Sequence, residues 1–275
     1  MEVDNGKDLR LESFYKMGRH SSIVFSYSSP FPVSIFNIQN LQTILVTSRG
    51  NLHIHKGLPN IFQCLQSLRT LELANNSIEE LPREIAQLIH LRYLNLSNNA
   101  WLKELPEAMC KLCNLQTLTL SRCWRLENLP QGMGKLINLR HLKTDSTLKR
   151  VFPKGIGRLS RLWTLAEIAV VGDDGDDNSL KVGDLQNLNY LCGHLAISGL
   201  GNARDARVAE KADLKKKKHL HIWISIQIRK KQQRGWRSWL KPYNPSRREI
   251  FRHIPLQWHQ IPQLVDHIAN PIDNT

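Results

Sequence analysis

Leu68-x-x-Leu71-x-Leu73-x-x-Asn76-x-Ile78-x-x-Leu81-Pro82-x-x-Ile85-x-x-Leu88 is one sentence of residues that the chain writes four times, with small edits, between Leu68 and Leu165. Its anchor leucines recur at Leu71, Leu94, Leu118, Leu142 and Leu165, with steps of 23, 24, 24 and 23 residues. The prolines keep the same step at Pro82, Pro106, Pro130 and Pro153. A constant period with a fixed apolar grammar predicts a solenoid, in which each unit stacks on its neighbours.

The spacing also sets what each unit does. In Leu-x-Leu the two apolar residues are two apart, so on a short strand both point inward while their neighbours point outward. Each unit therefore supplies one strand to a parallel sheet. Five residues after each anchor stand Asn76, Asn99, Cys123 and Thr147, small polar side chains able to turn inward and satisfy backbone groups where the chain leaves the strand. The Leu-Pro pairs stop any strand on the return path, because proline lacks a donor and fixes φ. One unit cannot bury its own leucines, whereas a stack can. A period of 23 or 24 residues lies in the leucine-rich-repeat range. The fold expected is α/β: a leucine-rich-repeat solenoid, a curved horseshoe with a parallel sheet on its concave face and loops and short helical turns on its convex face.

Around that stretch the chain divides into four parts. Residues 1–29 are polar without clear periodicity and lead into the repeats. Regular repeats are expected over 30–170, beginning with a weaker copy, Pro32, Ile35, Ile38, Leu41, Ile44 and Val46, and then Pro59, Phe62, Leu65 and Leu68. Irregular repeats are expected over 171–228: a strand from Leu165 to Val171, an acidic loop Gly172 to Asn178, leucines at 185, 188 and 191 before Leu195 and Ile197, a short helix around Ala206 to Leu214, and a strand from Leu220 to Ile228. Residues 229–275 keep none of this grammar. Three tryptophans and five prolines occur there among basic residues with no repeat step, and the segment reads as an aberrant, disordered tail.

Composition narrows the functional classes. The first thirty residues carry charges where a signal peptide needs an unbroken apolar run, and no later run approaches the length of a membrane span. Five cysteines, an odd number without framework spacing, agree with a reducing compartment. A cytoplasmic protein is expected, with the nucleus as a second location. The net charge is +14, but the tail supplies nine basic and three acidic residues, and Lys215 to Lys218 reads as a solvated face. Nucleic acid is therefore not the expected partner, and neither is a membrane. The alternate acids, central glycine and closing Glu of a calcium loop are not in register in the acidic loop. His53-x-His55, His219-x-His221 and Cys110-x-x-Cys113 have metal-like spacing, but none has a second pair to complete a site. No catalytic constellation stands out, so neither enzyme activity, metal nor cofactor is expected.

Function is expected on the outward side of the strands. The candidate ligand-binding residues are Thr70, Glu72 and Asn75; Tyr93, Asn95 and Ser97; Thr117, Thr119, Ser121 and Arg122; and His141, Lys143 and Asp145. Tyr93, Arg122 and His141 are the expected anchors, since Tyr and Arg are favoured where binding energy concentrates.

The text LRTLELANNSIEELPREIAQLIHLRYLNLSNN, followed by LKELPEAMCKLCNLQTLTLSRCWRLENLPQGMGKLINLRHL, closely resembles plant coiled-coil nucleotide-binding leucine-rich-repeat disease-resistance proteins. So do FPVSIFNIQNLQTILV upstream and LQNLNYLCGHLAISGLGN downstream, and the resemblance runs from about Tyr15 to Trp223. It implies an intracellular immune receptor whose repeats recognise a pathogen effector or a host protein and restrain a nucleotide-binding switch domain. This sequence departs from the family in two ways. No G-x-x-x-x-G-K-[ST] occurs, and Gly132-Met-Gly134-Lys135-Leu136 has Leu where a hydroxyl must hold Mg²⁺. In the tail, Trp258-His259-Gln260-Ile261-Pro262-Gln263-Leu264, back-translated and read one base later, permits the family-like string G-T-K-F-P-N-W. A base inserted or deleted between about Arg229 and Pro245 would account for it. Two alternatives stay open: a general repeat-built signalling scaffold, and a truncated gene product without its own activity.

Overall fold

The structure is a computed structural model that describes residues 2–3, 19–25, 38, 40–48, 57–145, 152–165, 167–169, 178–198, 217, 220–225 and 254–256. The chain divides into two compact units, Met1–Lys149 and Arg150–Thr275.

In the first unit the apolar grammar builds a single parallel sheet. Its strands follow in sequence order: β1 (Glu2–Val3), β2 (His20–Phe25), β3 (Thr43–Ser48), β4 (Thr70–Glu72), β5 (Tyr93–Asn95), β6 (Thr117–Thr119) and β7 (His141–Lys143). The register places one residue of each unit beside its equivalent in the next. Ile44, Leu71, Leu94, Leu118 and Leu142 form one inward row, all within 1% of complete burial. The residues two further on, Val46, Leu73, Leu96 and Leu120, are equally buried. Burying each such side chain contributes roughly 1.5 to 3 kcal/mol, so the stack rather than any one unit holds the fold together.

The return paths begin where expected. Pro82, Pro106 and Pro130 are extended at φ −66, −67 and −55°, and each opens a 3₁₀ turn, Arg83–Gln87, Glu107–Lys111 and Gln131–Lys135. These turns bury Ile85, Met109 and Met133 beneath the sheet's inward rows. The earlier copy of the grammar is an α-helix, Leu58–Cys64, with Pro59 in its first turn, where a missing N–H costs nothing.

Two ladders of asparagines stitch the units together. Asn99 Nδ2 donates to Leu73 O at 2.9 Å and Leu96 O at 2.7 Å, while its Oδ1 accepts from Asn76 N at 3.1 Å and Ile78 N at 3.0 Å. Asn76 Nδ2 likewise donates to Val46 O and Ala74 O. On the approach to the strands, Asn114 Nδ2 reaches Ile89 O at 2.8 Å and Asn138 Nδ2 reaches Cys113 O at 2.9 Å. Cys123 takes the asparagine's place in its unit with a thiol 3.1 Å from Leu96 O.

In the second unit, strands β8 (Thr164–Leu165) and β9 (Glu167–Ala169) occupy most of the stretch expected as one strand. The sheet β9, β10 (Gly193–Ser198) and β11 (Leu220–Ser225) is parallel, and β12 (Ile254–Leu256) joins β11 antiparallel. The 3₁₀ turns Lys154–Arg158 and Val182–Asn187 stack closely, since a Cβ on Gly157 would come within 2.8 Å of Asp184 Cβ. Leu185, in this second turn, and Leu188 and Leu191, between it and β10, are buried, where the sequence reads as an irregular repeat.

Three findings differ from the sequence reading. Strand β2 lies in a stretch without visible periodicity, because its inward position beside Ile44 is Ser21, buried and polar. Within the run read as a solvated face, Lys217 is 5% exposed and its ammonium donates to Leu188 O at 2.9 Å, where the preceding 3₁₀ turn leaves a carbonyl to satisfy. Within the tail, Ile254–Leu256 is a paired strand. The acidic loop over 172–177 and the short helix around Ala206 lie outside the described residues.

Candidate functional site

With leucines facing in, the residues between them face out, and the register arranges them in two rows across the sheet. One runs Thr43, Thr70, Tyr93, Thr117, His141; the other runs Leu45, Glu72, Asn95, Thr119, Lys143. The sequence-predicted residues on β4 to β7 are therefore brought onto one face, each half-buried except Lys143, which is exposed. Leu45 adds an apolar corner, 41% exposed beside Glu72. Its side of the face was missed because β3 belongs to the weaker copy of the repeat.

At the edge where the strands end, Asn75, Asn98 and Arg122 hold one equivalent position, at φ +59, +59 and +60°. Asparagine tolerates this left-handed conformation, and arginine adopts it at a cost. The turn puts the Arg122 side chain into solvent next to Ser121, whose hydroxyl bonds Asp145 Oδ2 at 3.1 Å. Ser97 is a correction. Expected on the outward face, it is 8% exposed, and its N–H donates to Asn95 Oδ1 at 2.9 Å. Its own hydroxyl finds no hydrogen-bond partner among the described residues.

The face is electrostatically uneven. Glu72 Oε2 accepts from Asn95 Nδ2 at 3.0 Å and from the Tyr93 hydroxyl at 3.4 Å, and Oε1 accepts from Ala74 N at 3.1 Å. Partial burial, and then the Glu72 charge, raise the Tyr93 pKa. Three strands away, burial lowers the His141 pKa, and the positive charges of Lys143 and Arg140 lower it further, so its imidazole is neutral near pH 7.

Elsewhere the chemistry is sparse. Burial pushes the Cys110 thiol up to about 12 and the Cys123 thiol up to about 11, which keeps both protonated and unreactive. No group of three metal-ligating side chains gathers among the described residues. His53, His55 and His219 lie outside them. An open cleft of about 520 Å³ between Pro59 and the turn at Glu79–Glu84 contains none of the candidate residues. Trp101 and Trp124, 48% and 66% exposed, mark the loops after β5 and β6, and the Arg125 guanidinium lies 3.9 Å over the Trp101 ring.

Comparison with known proteins agrees with this architecture. A family model described as "Leucine-rich repeat region" matches residues 83–270, and one described as "Leucine rich repeat" matches residues 39–101. The chain belongs to the leucine-rich-repeat family. A Solanum bulbocastanum protein bearing the name disease resistance protein RGA1 is 47% identical over 163 residues, 59% of this chain and 16% of that protein. Leucine-rich repeat protein 1 of Homo sapiens is 33% identical over 86 residues, 25% of this chain and 21% of its own length. The chain thus spans about a fifth or less of each of these relatives. Among solved structures, a leucine-rich-repeat protein of Leptospira interrogans aligns with a TM-score of 0.55 at 22% identity, over 80% of this chain and 58% of its own. A TDR receptor aligns with a TM-score of 0.54 at 19% identity, over 78% and 36%. Both show the fold. Among the described residues no helix is long and apolar enough to cross a membrane.

Proposed function

We propose that this chain is a non-enzymatic recognition module that binds a protein partner on the outward face of β4 to β7, and that it serves plant defence by binding a pathogen effector or a host protein. The observation that supports this most is the contrast across the sheet. The inward row holds leucine on four successive strands, while the outward pairs change from Thr/Glu to Tyr/Asn, Thr/Thr and His/Lys. Folding demands the first and makes no demand for the second, and repeat solenoids use such extended faces to bind. The 47% identity to a protein named for disease resistance supports the defence role. In a longer form the module would restrain a nucleotide-binding domain, and the expected location is the cytoplasm.

Proximity labelling in leaf tissue tests the face. The expected result is a pathogen or host protein captured by the chain and by Gln87→Trp, on the return path, but not by Thr119→Trp, at the centre of the face. Capture unaffected by Thr119→Trp, or lost only with Gln87→Trp, would move the binding site elsewhere.

A further inference from the structure

The outward row Leu45, Glu72, Asn95, Thr119, Lys143 has opposite charges at two fixed points. Glu72 is held in place: three hydrogen bonds, from Ala74 N, Asn95 Nδ2 and the Tyr93 hydroxyl, fix its carboxylate before any partner arrives. A fixed charge gives a partner orientation without an ordering cost. Lys143 is exposed three strands away, beside His141. Between them stand only Asn95 and Thr119, both uncharged. Adjacent strands lie about 4.8 Å apart, so the two positions are separated by about 14 Å along the sheet. An extended chain rises about 3.4 Å per residue and returns to the same face every second residue, so positions i and i+4 of a strand-like segment span that gap and face the same way.

We propose that the partner, bound on the face assigned above, presents an extended segment crossing the strands with a basic side chain on Glu72 and an acidic side chain four residues away on Lys143. The proposal rests on that assignment and adds the chemistry of the ligand. The neighbouring groups feel these charges: burial and then the Glu72 charge raise the Tyr93 pKa, and burial and then the Lys143 and Arg140 charges lower that of His141. Other charged groups flank this row: Arg122 and Asp145 follow the strand ends, where Asp145 already holds the Ser121 hydroxyl, and the exposed Arg69, Arg92 and Arg140 precede β4, β5 and β7. A segment crossing the strands makes no directional ladder with the sheet, so exchanging the two charges would let it bind turned end for end.

That symmetry gives the test. The full chain is used to select from a display library of linear peptides about 12 residues long, enough to cross the four strands, and the enriched sequence is synthesised for fluorescence anisotropy. The expected enrichment is a basic and an acidic residue at i and i+4 in either order. Glu72→Lys and Lys143→Glu should each weaken the peptide about tenfold or more, since like charges meet. The double exchange should restore affinity to within about threefold of the original. Glu72→Gln, which retains an oxygen for Ala74 N–H, should weaken it without disturbing the fold, as read by circular dichroism. No enrichment, enrichment at another spacing, or single reversals without effect would overturn the proposal. Thr119→Trp separates the two claims. If it abolishes binding of peptides that lack the charge pair, the face stands and the pairing fails; if such peptides still bind, both fail.

Discussion

The two sides of one short strand follow different rules. Leu118, facing in, matches Leu71, Leu94 and Leu142 on its neighbours, whereas Thr119, facing out, has Glu72, Asn95 and Lys143 as its counterparts. Burial explains the uniformity. Every unit offers the same slot to the next, and a leucine fills it at crystal-like density. Nothing comparable acts on the outward side, where a side chain meets water until a partner covers it. Constancy inside and variety outside are therefore separate signals, one about folding and one about recognition.

Breaking the inward side should give the largest effects. Leu118→Ala, in mid-stack, should cost about 2 to 5 kcal/mol through lost burial and the cavity left behind, measured by urea denaturation. Asn99→Ala strips four hydrogen bonds from buried backbone groups of two units. It should cost about 2 to 4 kcal/mol, and hydrogen exchange should rise first at the Asn76 and Ile78 amides. A change under about 0.5 kcal/mol in either variant would show that the rows do not carry the fold.

Other substitutions sharpen the comparison by making an exceptional position ordinary. Thr144 stands two residues after Leu142, where earlier units have Leu73, Leu96 and Leu120. It is buried, and its hydroxyl finds no partner among the described residues. Thr144→Val should stabilise by about 1 kcal/mol, because it removes an unsatisfied polar group with almost no change in shape. Arg122 adopts a left-handed backbone where earlier units use asparagine. Arg122→Asn should stabilise slightly, by about 0.5 to 1 kcal/mol, read by urea denaturation. If it also weakens partner binding, the strain is retained for recognition.

What could be read from the sequence follows the same division. The strands β4 to β7, return paths beginning at each proline and the inward asparagines were legible because a buried stack permits few residue types, so the pattern repeats. The second strand was not, since Ser21 occupies its leucine slot. Alternation alone puts Thr70, Tyr93, Thr117 and His141 in one outward row, which the register also builds. Ser97 is buried while Ser121, at the equivalent position, is half-buried, a difference that spacing does not encode. Leu45 escaped notice because its unit departs from the leucine grammar, and Lys217 because a run of lysines looks alike whether one ammonium meets water or a carbonyl. The tail is a separate question: the family match extends to residue 270, and the coding nucleotides at positions 258 to 264 test whether the string G-T-K-F-P-N-W lies one base out of frame.

The most direct measurement pairs urea denaturation with partner capture for Thr119→Trp, one residue along from Leu118 on the opposite face. The expected result is stability within about 0.5 kcal/mol of the original chain, as for surface substitutions generally, together with loss of the partner. Unfolding of the variant would place Thr119 in the core, and a stable variant that still captures its partner would show that recognition lies off this face.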